Sequence, residues 1–185
     1  IVLQSDNGSG GVTPYLTIDG SNTITQFLQH TFHPDNIQAR FGSSNDLRLH
    51  HNGTTSFVEN MTGNLHILNN ADEGDIIFQS DDGSGGVATY IELQGGNTRT
   101  VFRKDVNLQD NVNLYLGTSS DLRLVHQGSG SLISNSTGNL TFTQNANAAD
   151  IIFQSDDGSG GTTEYFKLDG ANTRTTFSKN LKLED

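Results

Sequence analysis

Short runs of alternating apolar and polar residues, each closed by a turn signal, follow one another along the whole chain. In "YIEL" (90–93), Ile91 and Leu93 fall on one face of an extended strand, and Tyr90 and Glu92 on the other. Equivalent runs keep that phase. Leu16 and Ile18, and Phe166 and Leu168, are expected to face inward. The intervening residues Thr17, Glu92 and Lys167 change type freely, as outward positions do. The same count places Val112, Leu114 and Leu116 inside, then Leu122 and Leu124, then Leu140 and Phe142. "DIIFQ" (75–79) is apolar at both parities, so its facing stays open. Clusters of Gly, Asn and Asp separate the runs at intervals of about 10 residues, as turns do. No stretch sustains a helical period, and the Asn, Gly and Thr content opposes helix. The pattern predicts an essentially all-β chain.

The runs belong to a repeat. "IIFQSDDGSGG" occurs at 76–86 and again, letter for letter, at 151–161, and "IVLQSDNGSGG" opens the chain. Ile1, Ile76 and Ile151 are therefore equivalent, and the period is 75 residues with no insertion or deletion. Tyr15, Tyr90 and Tyr165 correspond, as do Gly20, Gly95 and Gly170, and Phe27, Phe102 and Phe177. Downstream, "SSNDLRLHHNG" (43–53) matches "TSSDLRLVHQG" (118–128), and "TGNL" recurs at 62–65 and 137–140. The chain thus reads as repeat 1 (1–75), repeat 2 (76–150) and a partial repeat 3 (151–185). A propeller blade takes about 40–50 residues, and a solenoid rung is shorter still, so each repeat must hold several smaller pieces.

Composition narrows the architecture. Hydrophobic residues make up 32% and the mean hydropathy is −0.47, low for a globule with a thick core. Each strand offers only two or three inward apolar residues. A lone ribbon of such strands would leave them wet and its sheet edges open. Association of three chains would cover both. The expectation is an elongated repeat fibre, β-helix- or β-solenoid-like, built from three chains. The net charge of −11 disfavours nucleic-acid phosphates and anionic membranes as partners. No apolar run approaches the roughly 20 residues of a membrane helix, and the chain start has no basic-then-apolar signal pattern. Without cysteine there is no disulfide framework.

Candidate chemistry is sparse. "SDDGSGG" lacks the Lys-Ser/Thr and the following helix of a phosphate loop. Asp81, Asp82 and Ser84, with Asp156 and Asp157 one period on, are hard oxygen donors near flexible glycines and raise the question of calcium. Neither an EF-hand spacing nor a tandem calcium nonapeptide is present, and an exposed turn accounts for the residues equally well. His51 and His126 are equivalent and share the phase of the leucines before them, so each is expected inward at a strand end. There they are structural histidines, or three copies could gather about an axis around an ion or water. His30 and His33 occur in repeat 1 alone. The five Asn-x-Ser/Thr sequences, at Asn7, Asn52, Asn60, Asn135 and Asn139, are expected by chance in so Asn-, Ser- and Thr-rich a chain. No serine elbow joins a strand to a helix. No catalytic, cofactor-binding or metal residue is assigned, no cofactor is expected, and the chain is read as a non-enzyme.

The assembled pattern, "DIIFQSDDGSGG…Y…L.G.NTRT.F" followed by "DNV.L.LG.SSDLRL.H.GS.S.I…TGNL", resembles repeats in tail-fibre and structural proteins of marine bacteriophages. Gln127 stands where that family usually has Asp, and 32–40 departs most from it. The resemblance implies a trimeric, β-rich shaft on a virion, outside the cell, presenting a host-receptor-binding tip and joined to other tail proteins. A host surface glycan would be the tip's partner. No catalytic residue comes with it. The alternative is a bacterial surface adhesin or carbohydrate-binding β-solenoid, using Tyr15, Tyr90 and Tyr165 or calcium at the Asp-rich turns.

Overall fold

A computed structural model describes residues 1–183. Among them there is no helix. The chain forms five three-stranded antiparallel sheets, each a meander of consecutive strands. The first comprises β1 (Val2–Asp6), β2 (Val12–Asp19) and β3 (Ile24–Phe27), and the second β4 (Ala39–Phe41), β5 (Leu47–His51) and β6 (Ser56–Asn60). The third comprises β7 (Ile76–Asp81), β8 (Val87–Gln94) and β9 (Arg99–Phe102). The fourth comprises β10 (Leu114–Leu116), β11 (Leu122–His126) and β12 (Ser131–Asn135), and the fifth β13 (Ile151–Asp156), β14 (Thr162–Asp169) and β15 (Arg174–Phe177). Each 75-residue repeat therefore holds two sheets of different kinds. The first, third and fifth sheets open with the Asp-Gly hairpin; the second and fourth carry "DLRL" on the middle strand. Ile1–Arg103 and Lys104–Asp185 form two compact units.

The all-β expectation is met, but successive rungs of a solenoid are not found. Every ladder among the described residues is antiparallel and joins neighbouring strands of one meander. A solenoid needs parallel ladders between successive coils, and here each set of hydrogen bonds closes locally.

Register settles the facing. Residues directly opposite in an antiparallel pair share a face. Phe78 lies opposite Ile91, and Ile91 opposite Phe102; Ile76 lies opposite Leu93. The apolar face of the third sheet is thus Ile76, Phe78, Ile91, Leu93 and Phe102, and the parity of "DIIFQ" is resolved, with Ile77 on the other side beside Glu92 and Val101. The fifth sheet repeats this with three phenylalanines: Phe153 stacks on Phe166 at 4.4 Å between ring centroids, and Phe166 on Phe177 at 5.9 Å. In the fourth sheet Leu114, Leu124 and Ile133 form one row, and Leu116 and Leu122 begin the next.

Among the described residues nothing covers these faces fully. Val125 is the one buried apolar side chain among the described residues. Phe102, Ile133 and Leu116 are about half exposed. The accessible surface is 15,000 Å², whereas a folded monomer of this mass exposes about 8,700 Å² and two separate halves together about 10,400 Å². A single layer of β-sheet cannot make a core, because an apolar face needs a second layer. Leu140 and Phe142, expected in an inward strand, lie outside the sheets, and Val112 sits in the turn ahead of β10.

Candidate functional site

The Asp-Gly hairpin between β7 and β8 is satisfied by its own backbone. Asp81 Oδ1 accepts the Gly83 N–H at 2.7 Å. Asp82 Oδ1 accepts the Ser84 N–H at 2.8 Å, the Ser84 hydroxyl at 2.7 Å and the Gly86 N–H at 3.1 Å. The main chain closes the loop with Asp82 N–H donating to Gly86 O at 3.1 Å. Gly83 and Gly85 hold φ of 81° and 90°, in the left-handed region that side chains resist. A Cβ on Gly86 would stand 2.6 Å from Asp82 Oδ2. The hairpin between β13 and β14 repeats every bond through Asp156, Asp157, Ser159 and Gly161. The Ser84 hydroxyl, then the backbone donors, hold the Asp82 carboxyl below its ordinary range, and Ser159 does the same for Asp157.

The first hairpin is a natural substitution experiment. Asn7 replaces the second aspartate, yet its Oδ1 still accepts the Ser9 and Gly11 N–H groups at 2.9 and 3.1 Å. What the position requires is a hydrogen-bond acceptor; a negative charge is dispensable. Among the described residues no three His, Cys, Asp or Glu side chains gather as a metal-binding group.

The repeated tyrosines mark a backbone irregularity. Phe78 pairs with Ile91 and the next residue, Gln79, pairs with Thr89, so Tyr90 is the extra residue of a β-bulge. Tyr15 and Tyr165 occupy the same bulge in the first and fifth sheets. The Tyr90 hydroxyl donates to Asp81 O at 3.2 Å and the Tyr165 hydroxyl to Asp156 O at 3.1 Å. Their carbonyls accept the N–H groups of Arg103 and Ser178 beyond the third strands. These rings brace the bulge and the hairpin.

His51 and His126 share the face of the leucines before them, as the phase predicted, but both are exposed and not turned inward. His126 Nδ1 and Ser131 Oγ stand 3.0 Å apart, as do His51 Nδ1 and Ser56 Oγ. The His126 carbonyl accepts the Asn111 N–H at 2.8 Å, tying the turn before β10 to the end of β11. His30 and His33 fall in the irregular segment between β3 and β4. The asparagines of the Asn-x-Ser/Thr sequences at 52, 60 and 135 serve turns: Asn52 Oδ1 accepts the Thr54 and Thr55 N–H groups, and Asn60 and Asn135 clamp the carbonyls that follow them.

Several contacts escaped the sequence reading. Asp75 and Asp150 accept the N–H groups of Gly95 and Gly170 at 2.9 Å, pinning the loop before each hairpin to the turn after its middle strand. A Cβ on Gly95 would lie 2.5 Å from the Gly74 carbonyl oxygen. Both pairs recur one period apart, and that shared recurrence was the available signal. The variable positions read as outward are the more covered ones. Glu92 is ion-paired with Arg103 and Lys167 with Asp150, each at 2.7 Å, and their side chains are only 12% and 25% exposed. Shallow clefts of about 410 and 440 Å³ lie at equivalent places in repeats 2 and 3, floored by Ile76 and Leu93 and by Ile151 and Leu168. They are part of the apolar face. Compared with known proteins, the chain matches no family model, no curated relative and no solved structure.

Proposed function

We propose that this chain is a segment of the shaft of a bacteriophage tail fibre or similar virion appendage, in which three copies associate through their apolar sheet faces. The observation that carries the reading is the apolar face that each sheet leaves exposed. The chain exposes roughly 6,000 Å² more than a folded monomer of its mass, several times the ~800 Å² per partner of a standard interface.

Geometry favours three copies. Three strands about 4.8 Å apart make a sheet some 14 Å wide, and a triangle of that side places each sheet about 4 Å from its centre, close to half the ~10 Å separation of stacked sheets. The prism closes with one layer of side chains from each copy, and every sheet edge faces a neighbouring copy. A two-copy sandwich leaves four edges open to further pairing. The bacteriophage assignment rests on the resemblance of the repeated motifs. The work of such a shaft is mechanical: it holds a receptor-binding tip away from the particle. The adhesin reading gains nothing from Tyr90 and Tyr165, whose hydroxyls are committed to the bulge.

Light scattering on the purified chain tests the association. A mass three times 19.9 kDa is expected; a compact monomer at all concentrations overturns it. Antibody labelling of this segment on particles tests the location.

A further inference from the structure

Resting on that self-association, we infer that residues 64–68 and 139–143 are the strands by which the copies interlace, each adding to a sheet edge of a neighbouring copy. The two segments are equivalent in the repeat, "NLHIL" and "NLTFT", and both alternate as strands do. Their apolar residues are open: Ile67 and Phe142 are each 60% exposed. Among the described residues, neither segment makes a main-chain hydrogen bond within the chain.

They are nevertheless held at both ends. Before them, Asn60 Nδ2 donates to the carbonyls of Thr62 and Gly63 at 2.8 and 3.0 Å, and Asn135 repeats this with Thr137 and Gly138 at 2.7 and 3.1 Å. Met61 and Ser136 donate their N–H groups to Asp46 O and Asp121 O. After them, Asn69 Nδ2 donates to Asp75 O, and Gln144 Oε1 accepts the Ala146 N–H. The free edges of β6 and β12 stand immediately upstream, yet no ladder forms with them. A segment with fixed exits, strand patterning and unused backbone groups is shaped for strand addition to another edge.

That edge belongs to a second copy. The chain carries a net charge of −11, but neither segment contains Asp, Glu, Lys or Arg. Like charges opposed across a ladder destabilise it, and these are stretches that can lie against the same chain without that cost. The uninterrupted 75-residue period keeps segment and edge at matching heights in copies aligned in register.

Amide hydrogen exchange on the full chain, read by mass spectrometry above and below the association concentration, tests this. In the associated protein, amides of 64–68 and 139–143 are expected to exchange as slowly as those of β5 and β11, and to lose that protection on dilution to monomer. Rapid exchange in a protein whose mass is three times that of the chain overturns the interlacing and leaves the shaft reading standing. A monomeric mass throughout overturns both. Thr141→Pro or Phe142→Pro removes one amide donor, and at least one of the two must point into the ladder. The better placed is expected to raise the trimer dissociation constant about a hundredfold, from one hydrogen bond lost in each copy. No change with either variant overturns the pairing.

Discussion

Phe102 offers the sharpest test of how the copies meet. It sits on edge strand β9, opposite Ile91 on the apolar face, and is 56% exposed in the single chain. A phenylalanine side chain presents about 200 Å², so Phe102→Ala removes roughly 110 Å² that association would cover. At about 25 cal/mol per Å² that is close to 3 kcal/mol per copy and about 8 kcal/mol for three. The trimer dissociation constant is then expected to rise by up to about six powers of ten. The part of Phe102 already covered within its own sheet also weakens each chain, but that loss is independent of concentration. Sedimentation velocity across a dilution series separates the two, with circular dichroism reporting the sheet content.

The control lies on the other face. Lys167→Thr installs the residue found at the equivalent Thr17 and breaks the Lys167–Asp150 pair. Part-exposed pairs of this kind contribute about 0–1 kcal/mol, so association is expected to persist at the same concentrations. If Phe102→Ala leaves the dissociation constant within about tenfold of the parent, or if Lys167→Thr abolishes association, the apolar faces are not the meeting surface.

Other outcomes follow from the turns and charges. The Asp19 carboxyl is lowered from 3.8 to about 2, chiefly by the Ser21 hydroxyl, and Asp82, Asp157, Asp150, Asp169 and Glu92 are lowered by their own hydrogen-bond donors. Their stabilisation is complete above their ordinary values and lost as pH falls through the depressed ones, so the melting temperature should hold at neutral pH and drop between about pH 4 and pH 2. Lys167, raised by Asp150, adds a loss on the alkaline side as pH passes above its ordinary 10.5. Gly95→Ala must displace the Gly74 carbonyl and should cost about 1–3 kcal/mol in denaturant unfolding, whereas Gly20→Ala, with nothing within 4 Å of the added carbon, should be near neutral. Asp82→Asn keeps the acceptor that Asn7 supplies but loses the ionised form that the donors favour, so it should lower the melting temperature slightly and equally with or without excess chelator, while Asp82→Ala should lower it by a few degrees. A chelator effect in the parent would revive the calcium reading.

Period-two counting found the faces because alternation is a local consequence of the pleat. It located Ile91, Leu93, Leu124 and His126 on one side with no knowledge of what they meet. It misjudged what a bulge does. Counting back by twos from Ile91 puts Thr89 on the leucine face, but the extra residue Tyr90 moves it to the opposite one, where its hydroxyl accepts from Gln79 Nε2 at 3.2 Å. Nothing local announces a bulge except the recurrence of the tyrosine. The free variation of Thr17, Glu92 and Lys167 also misled: Glu92 is covered by Arg103 of its own repeat, and Lys167 by Asp150, the last residue of the repeat before it. The solenoid expectation failed for a related reason. An apolar face shows that a second layer is needed, and the pattern is silent on whether that layer comes from the same chain.

The contrast between what is copied faithfully and what drifts bears on that second layer. The hairpin residues recur with the single change of Asp to Asn at position 7, because each is bound to another member of the same turn, so a change at one is felt at once by its neighbours. The face residues vary more: Phe27, Phe102 and Phe177 are kept, while the positions beside them change among Leu, Ile and Phe. The row Leu3, Leu16, Phe27 in the first sheet becomes Phe78, Ile91, Phe102 in the third and Phe153, Phe166, Phe177 in the fifth. Were these rows stacked on one another along a single chain, a ring gained in one sheet would need space in the next, and sizes would have to change together. In the proposed assembly each sheet meets only its own symmetry copies. Any change is matched by itself around the axis, and each level can adjust its volume alone. Independent drift of the faces under a fixed period is the pattern that self-association level by level permits.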